Sequence, residues 1–147
     1  MAGKNILVVP TDFSERSLTA LAWVRKMAEA MQADIRCIYV VEEPQIYSTL
    51  DMGPVAIPSV TELVKSAEEH LDAFIKANIK AFGSAPKASV LVGRPAEEIV
   101  SYAKDNDATM IVMTTHGYSG VKHLLLGSTT EGVLRHASCP VLSIRTT

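Results

Sequence analysis

Aromatic side chains are scarce in this sequence, at 5% of its 147 residues. Proteins that bind single-stranded nucleic acid stack bases on aromatic rings, and this chain has too few for such a platform. It also lacks an excess of positive charge: 14 Lys and Arg stand against 16 Asp and Glu, a formal charge of −2. Sequence-blind nucleic-acid binding draws on released counterions and needs that excess. No uncharged stretch reaches the roughly 20 apolar residues that span a bilayer. The run from Met1 to Pro10 is too short, and too poor in small residues beyond it, for an export signal. Cys37 and Cys139 have no CxxC spacing and read as buried thiols of a cytoplasmic protein. His70, His123 and His136 show no metal-ligand spacing with either of them.

What the chain has is apolar material in short blocks. Hydrophobic residues make up 48% of it, against 20% charged, which excludes a disordered polyelectrolyte. The length fits a single domain over 1–147, and a domain of this size buries about two-thirds of its unfolded surface. Five apolar runs recur: Ile6–Val9, Ile35–Val41, Ala88–Val92, Thr109–Met113 and Val141–Ile144. Most are rich in Val and Ile with little strict alternation, as in strands buried on both faces of a parallel sheet.

Helical periodicity fills the intervals. Ser14–Met31 sets Leu18, Leu21, Ala22, Val24 and Ala28 at spacings of three and four. Ser59–Phe82 does the same with Leu63, Ala67, Leu71, Phe74 and Ile75, and opens with Ser59 and Glu62 as a capping box. Pro95–Asp105 begins with a proline suited to a first helical turn and aligns Ile99, Val100 and Ala103. Ser128–His136 forms the last helix, with Ser128 and Glu131 predicted as a second capping box. Strand and helix alternating throughout predict one doubly wound α/β domain with helices on both faces. The segment Glu42–Pro58, with four prolines and glycines, reads either as a plain crossover or as a flap near a ligand crevice.

Open α/β sheets bind ligands outside the carboxyl ends of their strands, where the strand order reverses. That singles out Pro10-Thr11-Asp12, Val40-Val41-Glu42 and Thr114–Ser119. The strongest local signal is Thr114-Thr115-His116-Gly117, nine residues, then Gly127-Ser128-Thr129-Thr130. Glycine lets a ligand approach the backbone closely, and a helix start offers unpaired N–H groups and a positive dipole end. Together these suit a phosphate. Two plainer roles compete: Ser128 as a helix cap, and Gly117 and Gly120 as chain-turning residues. The P-loop pattern is absent, since no Lys follows Gly127, and so is G-x-G-x-x-G. Asp12 could hold a divalent cation or a ribose hydroxyl, or could cap a helix with Glu15 three residues on. His116 could donate to a phosphate or be an idle loop residue. No nucleophile, base and orienter can be assembled from the order of residues.

Several of these pieces occur together in one known family. They are Ile6-Leu7-Val8-Val9-Pro10-Thr11-Asp12-Phe13-Ser14, Val92-Gly93-Arg94-Pro95-Ala96-Glu97-Glu98-Ile99-Val100, His116-Gly117 through Leu126-Gly127-Ser128, and Cys139-Pro140-Val141-Leu142. On these the chain resembles the universal stress proteins over nearly its full length. The resemblance implies a five-stranded parallel sheet of order 3-2-1-4-5. ATP-binding members carry G-x-x-G, nine residues, then G followed by Ser or Thr. Gly117, Gly127 and Ser128 match, while Thr114 stands at the first glycine, where a Cβ could crowd the ligand. The implied ligand is ATP, ADP or AMP, with Mg or Mn held on the phosphates near Asp12. Gly117, Gly127, Ser128 and Thr129 would surround phosphates and ribose. Pro10, Thr11 and Asp12 would line the crevice, and the backbone near Val40 would meet the adenine. Met113, Thr115, His116, Gly120 and Thr130 complete the set.

Two functions follow as expectations. One is a nucleotide-binding regulatory module, with hydrolysis slow at most because no catalytic base is evident. The other is a nucleotide-independent interaction protein, which Thr114 favours and Gly127-Ser128 opposes. A phosphorylatable receiver domain is excluded, because the third strand ends Val92-Gly93-Arg94 without an aspartate. The last strand would stand at a sheet edge, and residues 141–145 are expected to pair with a second copy as a homodimer.

Overall fold

A computed structural model describes residues 3–42, 58–115 and 126–145. The five apolar runs become five strands: β1 (Ile6–Pro10), β2 (Asp34–Val41), β3 (Lys87–Val92), β4 (Met110–Thr114) and β5 (Val141–Ile144). All neighbours are parallel, in the order β3-β2-β1-β4-β5. Parallel neighbours require crossovers, and helices supply them: α1 (Glu15–Met31), α2 (Val60–Ala77) with the short α3 (Ile79–Phe82), α4 (Pro95–Asp105) and α5 (Ser128–His136).

Side chains alternate across a strand, so β1 serves both faces. Leu7 and Val9 point to the layer of α1, α2 and α3, where they meet Val24, Leu71 and Phe82. Val8 points to the layer of α4 and α5, where it joins Ile99, Ile111 and Val133. Leu7, Val8, Val24, Ile111 and Val133 have no exposed surface at all. This explains the unbroken Val and Ile runs: both faces of the central strands are covered. Truncating a side chain such as Leu71 to alanine costs about 2–5 kcal/mol at sites of this kind.

The helix boundaries depart from expectation in instructive ways. The long helix predicted over Ser59–Phe82 breaks at Asn78, whose Nδ2 donates to the Phe74 carbonyl at 2.8 Å and ends α2. Gly83 then closes α3 at φ +79°, a left-handed conformation that a side chain resists. The Ser59–Glu62 capping box forms as predicted. The one predicted at Ser128 does not. Gly127 takes the N-cap position, Ser128 becomes the first helical residue, and Glu131 pairs instead with Arg135 at 2.9 Å. Leu18 and Ala22, expected on the apolar stripe of α1, are both exposed, and Ser17 and Ala20 are buried in their stead. The buried stripe of α1 runs through Ser17, Ala20, Leu21, Val24 and Ala28.

Candidate functional site

The strand order reverses between β1 and β4. Their carboxyl ends diverge there, with α1 leaving on one face and α5 on the other. A cavity of about 550 Å³ opens at this point. Pro10, Thr11 and Asp12 after β1, Val40 at the end of β2, Met113 and Thr114 at the end of β4, and Gly127 to Thr130 at the start of α5 all line it. Residues expected from three distant segments therefore converge. Thr115 does not join them: it is 6% exposed, donates its amide to the Ile144 carbonyl and accepts from the Gly127 amide at 2.6 Å. It ties the start of α5 to the sheet instead. The predicted roles of His116, Gly117 and Gly120, and the reading of Glu42–Pro58 as a flap beyond Glu42, fall outside the described residues.

The wall on the α1 side is a network of short polar chains. Asp12 is not the N-cap of α1. Ser14 holds that position, accepting from the Ser17 amide, while Asp12 Oδ1 accepts from the Ser14 amide at 3.0 Å and from its hydroxyl. Thr11 Oγ1 accepts from the Phe13 amide at 3.1 Å and donates to Ser17 Oγ at 3.3 Å. Phe13 adopts φ +64°, where a bulky residue is rare. Its surroundings hold it there. The ring stacks on Tyr39 with centroids 4.6 Å apart and meets Phe74 edge-on at 5.8 Å. The strained turn directs Thr11 and Asp12 toward the cavity while Phe13 turns back into the α2 layer.

The opposite wall is backbone. Gly127 offers no side chain to cap α5, and the first helical amides have no acceptor within the helix. Thr130 Oγ1 donates to the Thr114 carbonyl at 2.8 Å and fixes the first turn against β4. The apolar floor is Ile38, Ile99 and Met113.

Sequence reasoning missed five lining residues, Ser17, Ile38, Tyr39, Pro95 and Ile99, and reached Glu42 only as part of the segment after β2. Ser17 was within reach, because it lies one turn into α1 from the Asp12 segment. Pro95 and Ile99 enter only through the packing of α4 beside α5, which spacing does not encode. Burial, with the carboxylates of Glu42 and Asp12, pushes the Tyr39 phenol upward, so it keeps its proton and remains a donor. No group of three His, Cys, Asp or Glu converges among the described residues. A divalent cation here would rest on ligand phosphates with Asp12 beside it, the way magnesium usually binds. Cys37 lies in the core, and burial pushes its thiol from 9.0 up to about 12. Cys139 is part-buried against the α4–α5 layer and its thiol is also raised, chiefly by burial. No described helix is long and apolar enough to cross a membrane.

A doubly wound sheet with a hollow at its switch point, faced by the amino end of a helix, defines a class of open-sheet α/β proteins. A sequence profile of the universal stress protein family matches residues 4–145, and the chain belongs to that family. It is 33% identical to universal stress protein MJ0531 of Methanocaldococcus jannaschii, over 97% of this chain and 85% of that one. The solved structure of MJ0577, from the same organism, superposes with a TM-score of 0.74 at 28% identity, covering 99% of both chains. Two more distant universal stress proteins, each 21% identical, share the fold. One was solved in complex with cAMP (TM-score 0.72, 99% of this chain and 100% of that one). The other, from Archaeoglobus fulgidus, was solved in complex with dAMP (TM-score 0.65, 98% of this chain and 99% of that one).

Proposed function

We propose that this chain is a single-domain, cytoplasmic stress-response regulator that binds an adenine nucleotide, with occupancy altering its conformation or its hold on a partner protein. The observation that carries this reading is the cavity at the switch point, walled by Thr11 and Asp12 on one side and by the uncapped start of α5 on the other. An amide-lined helix start with its dipole suits phosphates. The floor of Ile38, Ile99 and Met113 suits a flat heterocycle, and the volume is that of an ordinary ligand pocket. The two relatives solved with cAMP and dAMP support an adenine nucleotide as ligand class. ATP is the nucleotide we assign, with ADP or AMP as its products or substitutes and Mg or Mn on the phosphates by Asp12. Slow turnover at most is part of this reading, since the sequence has no Lys after Gly127 to hold the phosphates and no evident base to orient an attacking water.

A second reading is a nucleotide-independent dimeric scaffold. Two observations favour it: Thr114 lines the cavity where a glycine would leave more room, and β5 is an edge strand whose four residues are all only part-buried. Pairing of residues 141–145 with a second copy belongs to both readings. One set of samples separates them. At about 100 times its dissociation constant, Mg-ATP should raise the melting temperature by roughly 5–10 °C. Sedimentation of the same samples should give a dimer. A dimer with no shift at millimolar Mg-ATP favours the scaffold, and a monomer removes the strand-pairing proposal.

A further inference from the structure

We propose that Gly132 is a positioning residue: by lacking a side chain it lets α5 close on α4 at Ala96, and this contact sets the width of the slot between the two helix starts that wall the cavity. The proposal rests on the adenine-nucleotide reading given above. A Cβ built on Gly132 would lie 2.7 Å from the Cβ of Ala96. Carbon atoms in good contact stand about 3.5–4.0 Å apart, so an alanine at 132 must drive the helices apart by roughly 1 Å.

The contact sits directly behind the cavity wall. Pro95 and Ile99, which flank Ala96 on α4, face the ligand space, and so do Gly127 to Thr130, one turn before Gly132 on α5. Further along, Ile99, Ala103 and Val133 anchor both helices to the sheet as one buried cluster. Thr130 Oγ1 and the Gly127 amide anchor the first turn of α5 to Thr114 and Thr115. A wedge at 132 therefore strains the start of α5, where the nucleotide reading puts phosphate, more than the β2 end, where it puts the base. Helix propensity points the other way, because alanine is preferred to glycine inside a helix. The sign of the outcome thus separates spacing from propensity.

The test uses Gly132→Ala and the double variant Ala96→Gly/Gly132→Ala, in which the clashing methyl is removed from the other side. Calorimetric titration with Mg-ATP and with adenosine is paired with amide NMR of the ligand-free proteins. The expected result is a roughly tenfold loss of Mg-ATP affinity in Gly132→Ala, a smaller loss for adenosine, and recovery in the double variant. Amide shifts over residues 96–99 and 128–130 should move in the single variant and return in the double. Unchanged Mg-ATP affinity, an equal loss for both ligands, or a loss that Ala96→Gly fails to restore would overturn the proposal. If the unaltered protein binds no adenine nucleotide, the functional reading fails on its own. The spacer is then judged by the amide shifts alone: displacement and return uphold it, and no displacement refutes it.

Discussion

Two of the helix starts at the cavity, those of α1 and α5, are built in opposite ways. At α1 the chain satisfies itself: Ser14 accepts from Ser17, and Asp12 accepts from Ser14. At α5 the cap is a glycine with nothing to offer, and the Thr130 hydroxyl bonds to the Thr114 carbonyl rather than to a helix amide. Both helices follow a central strand and both line the same space. A side chain that caps a helix occupies the amides an anion would use. The α1 side therefore presents hydroxyls and a carboxylate, suited to sugar and cation, whereas the α5 side presents backbone suited to phosphate.

The largest effect should come from making α5 resemble α1. Gly127 has φ −68° and ψ 157°, which any residue can adopt, so Gly127→Asp should fold and cap its own helix. Its carboxylate would sit where phosphate is expected. The Mg-ATP melting shift of roughly 5–10 °C should vanish while the ligand-free melting temperature holds or rises slightly. A shift that persists would mean that phosphate does not rest on α5. The reverse change is smaller. Ser14→Ala removes the α1 cap and should cost about 1 kcal/mol, a fall of roughly 3 °C, with the nucleotide shift retained. Loss of that shift would show that the two helix starts share one role.

The smallest effect compares the faces through their thiols. Cys37 lies in the α1–α2 layer and Cys139 borders the α4–α5 layer. With its thiol raised to about 12 by burial, Cys37 should resist iodoacetamide at neutral pH until the protein unfolds, and part-buried Cys139 should react first. The folded thiol stays protonated where the unfolded one, near 9.0, ionises. The stability it contributes is intact below pH 9.0 and is lost as pH rises toward about 12. Urea midpoints measured across that range check the slope, and Cys37→Ala should flatten it.

The sheet was legible because its strands are covered on both faces, and that demand writes itself as Val and Ile runs at Ile6–Val9 and Ile35–Val41. Ten of the expected binding residues meet at the cavity, because carboxyl ends of parallel strands converge by topology. The errors have a common origin in local competition. Ser128 looked like a cap because serine usually is one, but the preceding glycine could take the extended conformation and did. Asp12 looked like a cap for the same reason, and Ser14, two residues nearer the helix, won. The break at Asn78 depends on an amide that reaches back one turn, which periodicity does not register. Tyr39 lines the cavity from β2 while its ring stacks on Phe13, a contact between residues far apart in the chain that spacing does not register.

Because the hollow draws on Pro10 after β1 and on Gly127 at the start of α5, it cannot exist until segments far apart in sequence have folded against one another. Parallel strands brought together over such separations assemble slowly. A ligand that fits there recognises only molecules in which β1, β4 and the start of α5 have already come together, so its binding would report on folding of the sheet rather than on the presence of the chain.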